Sequence, residues 1–427
     1  MADRPSDSPA TRRSFLKSSA LVAGGSLAAG MFAPRVHAAG SDVLKIGLIG
    51  CGGRGTGAVG NAFAADPNTQ LTAIADAFAD RTDRALVQLR KESAEKVNVP
   101  AEQIFTGFDA FEKLLATDVD IVILATPPHF RPKHLKAAIA SGKHVFCEKP
   151  VAVDAPGVRS VLESCEEAKK KGLTVVSGLC YRYDPPKVET IKKIHDGAVG
   201  DIHTMHVSYN TGTLWHHGRE PSWSDMEFQL RNWLYFTWLS GDFNVEQHVH
   251  SLDKAAWVMK DVPPVRATGL GGRQVRTGNE FGNVYDHFAV VYEYENGTKL
   301  FANCRQMAGC SVDVSDHIVG SKGNAELMRA VIEGEQPWRY RGEKPNMYEE
   351  EHRAMFQAIR SSNPLNNGDY MAKSTMLAIM GRMAAYTGQT LTWDQCFSSS
   401  EDLSPAKYEW AEVSLPPVAM PGLTRFV

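Results

Sequence analysis

The stretch that most constrains this chain is Leu44-Lys45-Ile46-Gly47-Leu48-Ile49-Gly50-Cys51-Gly52-Gly53-Arg54-Gly55, an apolar run of strand length ending in Gly-x-Gly-x-x-Gly. Small, mostly apolar residues from Thr56 to Ala65 follow and suit a helix. In a strand–turn–helix, Gly50 makes the tight turn, Gly52 leaves room for a pyrophosphate against the backbone, and Gly55 lets helix and strand pack closely. Gly53 and Arg54 complete the turn, and the helix presents free N–H groups and its positive end to an anion. A second apolar run, Leu71–Asp76, ends in an acid about twenty residues past Gly55, the offset at which a carboxylate holds a ribose 2′-hydroxyl. These features predict a dinucleotide site. Asp76 would repel a 2′-phosphate, which favours NAD over NADP, with Arg81 and Arg84 nearby as opposing charges.

The rest of the composition narrows the class. A chain of 427 residues is long enough for two domains, and 43% hydrophobic with 22% charged residues is the balance of a soluble globular enzyme. Net charge is −3 with no basic stripe, which excludes nucleic acid as an expected partner. The cysteines, at 51, 147, 165, 180, 304, 310 and 396, form no Cys-x-x-Cys pair, so neither a zinc site nor a disulfide framework is expected.

Residues 1–38 read as a targeting segment. Thr11-Arg12-Arg13-Ser14-Phe15-Leu16-Lys17 resembles the twin-arginine export signal, Ser18 to Ala33 is moderately apolar, and Val36-His37-Ala38 offers small residues for cleavage. The apolar stretch is too short and too rich in Gly and Ser to span a membrane comfortably. The expectation is export to the periplasm by the twin-arginine machinery, which carries folded proteins, so that a nucleotide bound inside the cell travels with the chain.

From residue 44 to about 179 strand and helix patterns alternate, as a parallel sheet requires. Val119–Thr126 is a buried strand with Pro127-Pro128-His129 at its carboxyl end, where ligands gather in such sheets. His144–Pro150 is the next strand and loop, and Asp154–Lys171 an amphipathic helix. The second half predicts one sheet of antiparallel strands, with hairpins at Asn296-Gly297 and Gly320-Ser321-Lys322-Gly323. Asn346–Arg360 and Asp369–Tyr386 read as helices, and the Pro-rich tail after Gly388 as a surface drape. The expected domains are 1–38 (signal), 43–179 (dinucleotide), 180–390 (substrate) and 391–427 (tail).

At Ala125-Thr126-Pro127-Pro128-His129, Glu148-Lys149-Pro150, Gly178-Leu179-Cys180-Tyr181-Arg182-Tyr183-Asp184-Pro185 and the segment around His250, the chain resembles the glucose–fructose oxidoreductase / inositol dehydrogenase / MocA (Gfo/Idh/MocA) family. The resemblance runs from about 43 to 390. It implies an α/β fold: a Rossmann domain, then an α/β domain with a large open, mainly antiparallel sheet. It also implies hydride transfer to and from sugars, cyclitols and related carbinols, and a homo-oligomer formed through the open sheet. Thr126, Pro127, His129, Glu148 and Lys149 then join the cofactor site, and Lys149 orients the substrate hydroxyl.

The family's helix usually carries Asp-x-Gly-x-His-x-x-Asp. Here Glu246 stands for the first acid, His248 for the glycine, His250 keeps the histidine and Asp253 the second acid. On one helix Glu246, His250 and Asp253 would share a face. His250 is the candidate general base, with Glu246 tuning Lys149. Tyr181 and Arg182 are candidate substrate contacts, and the aromatics of 211–244 (Trp215, His217, Trp233 among them) offer sugar-stacking surfaces or core. An extended backbone over 244–250 would instead aim Glu246, His248 and His250 at a metal, the less favoured reading.

Three function classes remain open on the sequence. The first is an exported NAD-dependent oxidoreductase acting on a sugar, glycoside or cyclitol hydroxyl with a tightly held cofactor. The second is a glycoside hydrolase or lyase that oxidises the ring transiently and ends with no net redox change. The third is a catalytically silent NAD-bound sugar-binding protein.

Overall fold

The computed structural model describes residues 43–427. The expected signal segment, with its arginine pair and cleavage site, lies outside the described residues. Among the described residues no helix is long and apolar enough to cross a membrane.

Six short strands form the first sheet: β1 Leu44–Ile49, β2 Thr69–Asp76, β3 Ile104–Thr106, β4 Ile121–Leu124, β5 His144–Cys147 and β6 Val175–Ser177. All pairs are parallel, in the order β3-β2-β1-β4-β5-β6. The order reverses between β1 and β4, opening the crevice at the carboxyl ends where doubly wound sheets take ligands. Both faces are covered, so β1 and β4 read as continuous apolar runs rather than alternating ones.

The second sheet has nine strands: β7 Ile202–Thr211, β8 Arg266–Gly272, β9 His287–Glu293, β10 Lys299–Gln306, β11 Asp313–Gly320, β12 Gly323–Glu326, β13 Val331–Gly334, β14 Trp338–Arg339 and β15 Leu391–Thr392. Their order is β14-β13-β12-β11-β7-β10-β9-β8-β15. The hairpins β9–β10 and β11–β12 are antiparallel, but β10 runs parallel to β7, so the sheet is mixed rather than wholly antiparallel. The reason is connectivity: more than fifty residues of helix and loop separate β7 from β8, enough to return the chain in the same direction. Helices Val249–Val258 and Gly368–Thr387 cover one face, giving strands such as β8 and β10 their alternation of buried and exposed residues.

The two sheets are tied by late parts of the chain. Helix Met347–Arg360 packs on helix Gly53–Ala65 of the first sheet, burying Met355, Phe356 and Ile359 against Leu44, Ile46 and Phe146. Residues 365–367 bond to β6 as well, with the Val175 N–H donating to the Leu365 carbonyl and the Asn367 N–H to the Val175 carbonyl. The tail is more than a drape. It supplies β15 and the capped helix Trp393–Ser398, then bonds to Asp154 and His129, which follow β5 and β4 at the first sheet's carboxyl end.

Candidate active site

The glycine turn has the shape its spacing predicts. Gly50 adopts φ +99°, and a Cβ on Gly55 would fall 1.9 Å from the Gly50 carbonyl oxygen, so no side chain fits there. Gly52 and Gly53, by contrast, face open space, with nothing within 4 Å of an added Cβ. That space belongs to a cavity of about 510 Å³ running from the turn past Asp76, Phe78, Arg81 and Phe108 and along Ala125, Thr126 and Pro127. Its size and its glycine cradle at a helix N-terminus fit a dinucleotide. Asp76 is set by the turn: Oδ2 accepts from the Cys51 N–H at 2.7 Å and Oδ1 from the Phe78 N–H at 3.0 Å. Burial raises its pKa above the ordinary carboxylate value.

The roof of this cavity is Trp215, His217, Leu230 and Trp233. Aromatics that the sequence offers for sugar stacking therefore cover the nucleotide side. His129 does not line the cavity, contrary to expectation. Its Nε2 lies 2.7 Å from the Tyr408 hydroxyl and its ring packs edge-on against Trp238, away from the glycine turn. Burial pushes its pKa down to about 4, so it is neutral.

The cavity stops short of a second centre at the end of β5. Lys149 Nζ donates to Glu246 Oε1 at 2.8 Å and to the Glu246 carbonyl at 2.6 Å, with both side chains nearly buried. Glu148, just before it, is 2% exposed and accepts from Arg54 Nε at 2.5 Å and from the Lys149 N–H at 3.1 Å. Arg54 lines the cavity, so one guanidinium links the nucleotide turn to the Glu-Lys-Pro loop. Arg131, the first residue of the helix that follows β4, braces the same loop, donating to the Pro150 carbonyl and, at 2.8 Å, to the Thr126 carbonyl.

Glu246 and His250 do not sit on one regular helix. A short helix, Phe243–Glu246, ends, and Val249–Val258 begins after Gln247-His248. The His248 N–H reaches back five residues to the Phe243 carbonyl, and the next N–H groups make tighter three-residue bonds. Buried Asp242 pins the start, accepting from the Phe243 and Tyr285 N–H groups and the Tyr386 hydroxyl. The helical backbone also removes the metal arrangement, since His248 is buried and its Nδ1 bonds to Asn244 at 3.0 Å.

The structure brings Lys149, Glu246, His250 and Tyr181 together. The His250 ring meets Tyr181 edge-on with centroids 5.6 Å apart, and its Nδ1 is buried without a hydrogen-bond partner among the described residues. Burial, then the charges of Lys149, Lys254 and Arg54, hold its pKa well below the ordinary imidazole value, so the ring is neutral and its unpartnered Nδ1 faces no competing protein group. Arg182 and Asp253 are not brought there. Arg182 Nε donates to Asp253 Oδ1 at 2.9 Å and NH2 to Asp261 at 2.6 Å, and Ser374 takes Asp253 as well. Two opposite charges that close satisfy each other inside the protein, so they serve as a brace under the site rather than substrate contacts.

Several residues escaped the sequence reading. Lys254 Nζ lies 4.0 Å from the Tyr181 ring centroid and pairs with Asp316 at 2.9 Å, both side chains fully buried. Glu351, also buried, stands 3.7 Å from the Arg54 guanidinium; burial and the Glu148 charge push its pKa well above the usual range. The signal for Glu351 was present. It and His352 interrupt the apolar stripe of helix Met347–Arg360 formed by Met355, Phe356 and Ile359.

A dinucleotide-binding parallel sheet joined to an open mixed sheet, with a lysine–glutamate centre where they meet, defines a two-domain NAD-binding α/β protein. The description "Oxidoreductase family, NAD-binding Rossmann fold" (GFO_IDH_MocA) matches residues 44–178, and "GFO/IDH/MocA C-terminal domain" matches 188–326. The chain belongs to the Gfo/Idh/MocA family. It is 27% identical over 222 residues to 2,7-anhydro-N-acetylneuraminate hydratase of Escherichia coli (strain K12), a match covering 52% of this chain and 55% of that protein. It is 24% identical over 280 residues to inositol 2-dehydrogenase of Rhizobium meliloti (strain 1021), covering 66% of this chain and 74% of the relative. The first of these matches thus spans only about half the relative's length. GenD2 from gentamicin A biosynthesis, solved in complex with NAD, shares the fold with a TM-score of 0.64 at 18% identity, over 82% of this chain and 96% of that one.

Proposed function

We propose that this protein is an NAD-dependent oxidoreductase acting on the CH–OH group of a sugar, glycoside or cyclitol. The observation that carries the reading is the Lys149–Glu246 pair with neutral His250 beside it, at the end of the strand next to the nucleotide crevice. Gly50, Gly52, Gly53 and Gly55 shape the pyrophosphate cradle, and Asp76 faces the ribose and favours NAD over NADP. The bound nicotinamide supplies hydride acceptance. Lys149 orients the substrate hydroxyl, His250 takes its proton, Glu246 fixes the ammonium, and Tyr181 borders the substrate. Glu148 and Arg54 hold Lys149 against the nucleotide turn.

The segment before residue 39 gives the reading its location: export by the twin-arginine route with the nucleotide already loaded. A homo-oligomer through the outer face of the second sheet is part of the proposal, because Leu270, Phe301 and Val319 are exposed on it. The deciding experiment presents a panel of sugars, glycosides and cyclitols to the purified protein and follows the absorbance of enzyme-bound nicotinamide. Reduction by a member of the panel supports the reading; no reduction by any of them counts against it.

The hydratase relative gives a specific reason to keep a second reading, redox-neutral cleavage or addition through transient ring oxidation. Product release with no net change in nicotinamide absorbance separates it from dehydrogenation.

A further inference from the structure

The part of the chain that neither the glycine turn nor the lysine centre uses is the tail beyond the helix Trp393–Ser398. It crosses the seam between the cavity's wall and its roof. The Leu403 N–H donates to Asp154 Oδ2 at 3.1 Å, which fixes the tail to the first sheet's side. The Tyr408 hydroxyl then bonds to His129 Nε2 at 2.7 Å, and the Trp410 ring packs on Phe108 and Phe78 with centroids 4.6 and 5.3 Å away. Phe78 and Phe108 line the nucleotide cavity, so Trp410 backs that wall from outside.

Immediately afterwards the tail bonds to the roof. The Met226 N–H donates to the Ala411 carbonyl at 3.1 Å and Gln229 Nε2 to the Val413 carbonyl at 3.3 Å. Both donors belong to the helix Asp225–Arg231, whose Leu230 lines the cavity just before Trp233. Leu403, Tyr408, Val413 and Leu415 pack onto one apolar cluster shared by Phe78, Phe108, Phe130 and the roof. Besides the tail, Arg231 ties the roof to the wall, through Asp80 at 3.0 Å and the face of Phe78.

We propose that Tyr408 and Trp410 are cofactor-retaining residues: the tail straps the aromatic roof to the cavity wall and makes the nicotinamide dinucleotide a resident group. The proposal rests on the reading of the glycine-turn cavity as the dinucleotide site. For the nucleotide to leave sideways, the roof must lift, and lifting breaks the tail's bonds on one side or the other. The loss therefore falls on the release rate, because the residues that touch the nucleotide are unchanged. The His129–Tyr408 bond survives mild acid, since burial keeps His129 neutral.

The test compares full-length protein with the double variant Tyr408→Ala/Trp410→Ala and with a chain stopped after Leu403. NAD(H) that copurifies is quantified after denaturation, and release is timed by displacing bound NADH with excess NAD while its fluorescence is followed. The expected result is retained nucleotide in the full chain and release at least tenfold faster in the double variant. Circular dichroism confirms that the variant is folded; the milder Trp410→Leu serves if it or the truncated chain is not. Release at the full-length rate from a folded variant overturns the strap. Failure of the full-length protein to bind NADH at all overturns the cavity reading beneath it, and the strap with it.

Discussion

Lys149 Nζ sits 2.8 Å from Glu246 Oε1, bridging the first sheet to a short helix ninety-seven positions further along the chain. The side-chain exposures of 13% and 12% leave this pair largely screened from bulk water. Nearly buried charges that pair hold each other in one geometry, which is what an ammonium needs if it is to orient a hydroxyl.

Replacing Lys149 by Ala is expected to leave the nucleotide bound and to lower kcat/KM by about 10²- to 10⁴-fold, the range for losing a positioned proton-handling group. Bound-nicotinamide absorbance reads both quantities. Turnover unchanged on the substrate found in the panel would remove Lys149 from the mechanism.

The glycines of the turn divide into two kinds. Gly55→Ala drives a Cβ to 1.9 Å from the Gly50 carbonyl oxygen and is expected to destabilise the fold by about 2 kcal/mol or more. Gly52→Ala meets nothing within 4 Å and should leave the melting temperature within a degree or two while nucleotide affinity falls. Thermal unfolding beside NADH titration separates the two; equal stability of both variants would contradict the packing described.

A fourth substitution probes Glu148 without touching it. A Cβ on Gly178 would lie 2.7 Å from Glu148 Oε2, and the carboxylate is already held by Arg54. Gly178→Ala should therefore shift Glu148 and with it the Lys149 N–H, lowering kcat several-fold with a smaller change in KM. If kcat and KM are both those of the parent, the Glu148 brace is not needed for turnover.

His352 predicts a pH effect. Its ring stacks on Phe146 at 4.2 Å, neither nitrogen has a partner among the described residues, and burial, followed by the Arg54 charge, pushes its pKa down to about 3. A depressed folded-state pKa means the unfolded chain binds the extra proton first. Stability from this site is thus complete above about pH 6.5 and declines by about 1.4 kcal/mol per unit as the pH falls toward 3. His352→Phe removes that loss, so its advantage in denaturant unfolding should be about 2 kcal/mol larger at pH 5 than at pH 8. An advantage that does not change with pH would show that the imidazole is not held neutral.

Much of the fold was legible because its signals are local. A glycine turn between strand and helix, parallel strands reading as unbroken apolar runs, and Asn-Gly between two strands are each decided by a few neighbouring residues. The Lys149 and His250 candidates were legible through short motifs for the same reason. What the motifs missed depended on distance. The helix break at Gln247-His248 is set by partners at Asn244 and Phe243 and by the Asp242 anchor, so counting by fours and threes put Asp253 and Glu246 on a face they do not share.

By itself the sequence determined the glycine turn, the acid that ends β2, the alternation that makes the first sheet parallel, and the lysine just past β5, because backbone sterics and hydrophobic period act over a few residues. Only the tertiary structure decided that Arg182 and Asp253 neutralise each other, that His129 turns to Tyr408, and that the aromatic stretch roofs the glycine-turn cavity while the tail packs behind its wall. Those outcomes depend on which charges and rings meet across tens to hundreds of residues, where burial makes an unpaired polar group costly and lets the nearest satisfactory partner win.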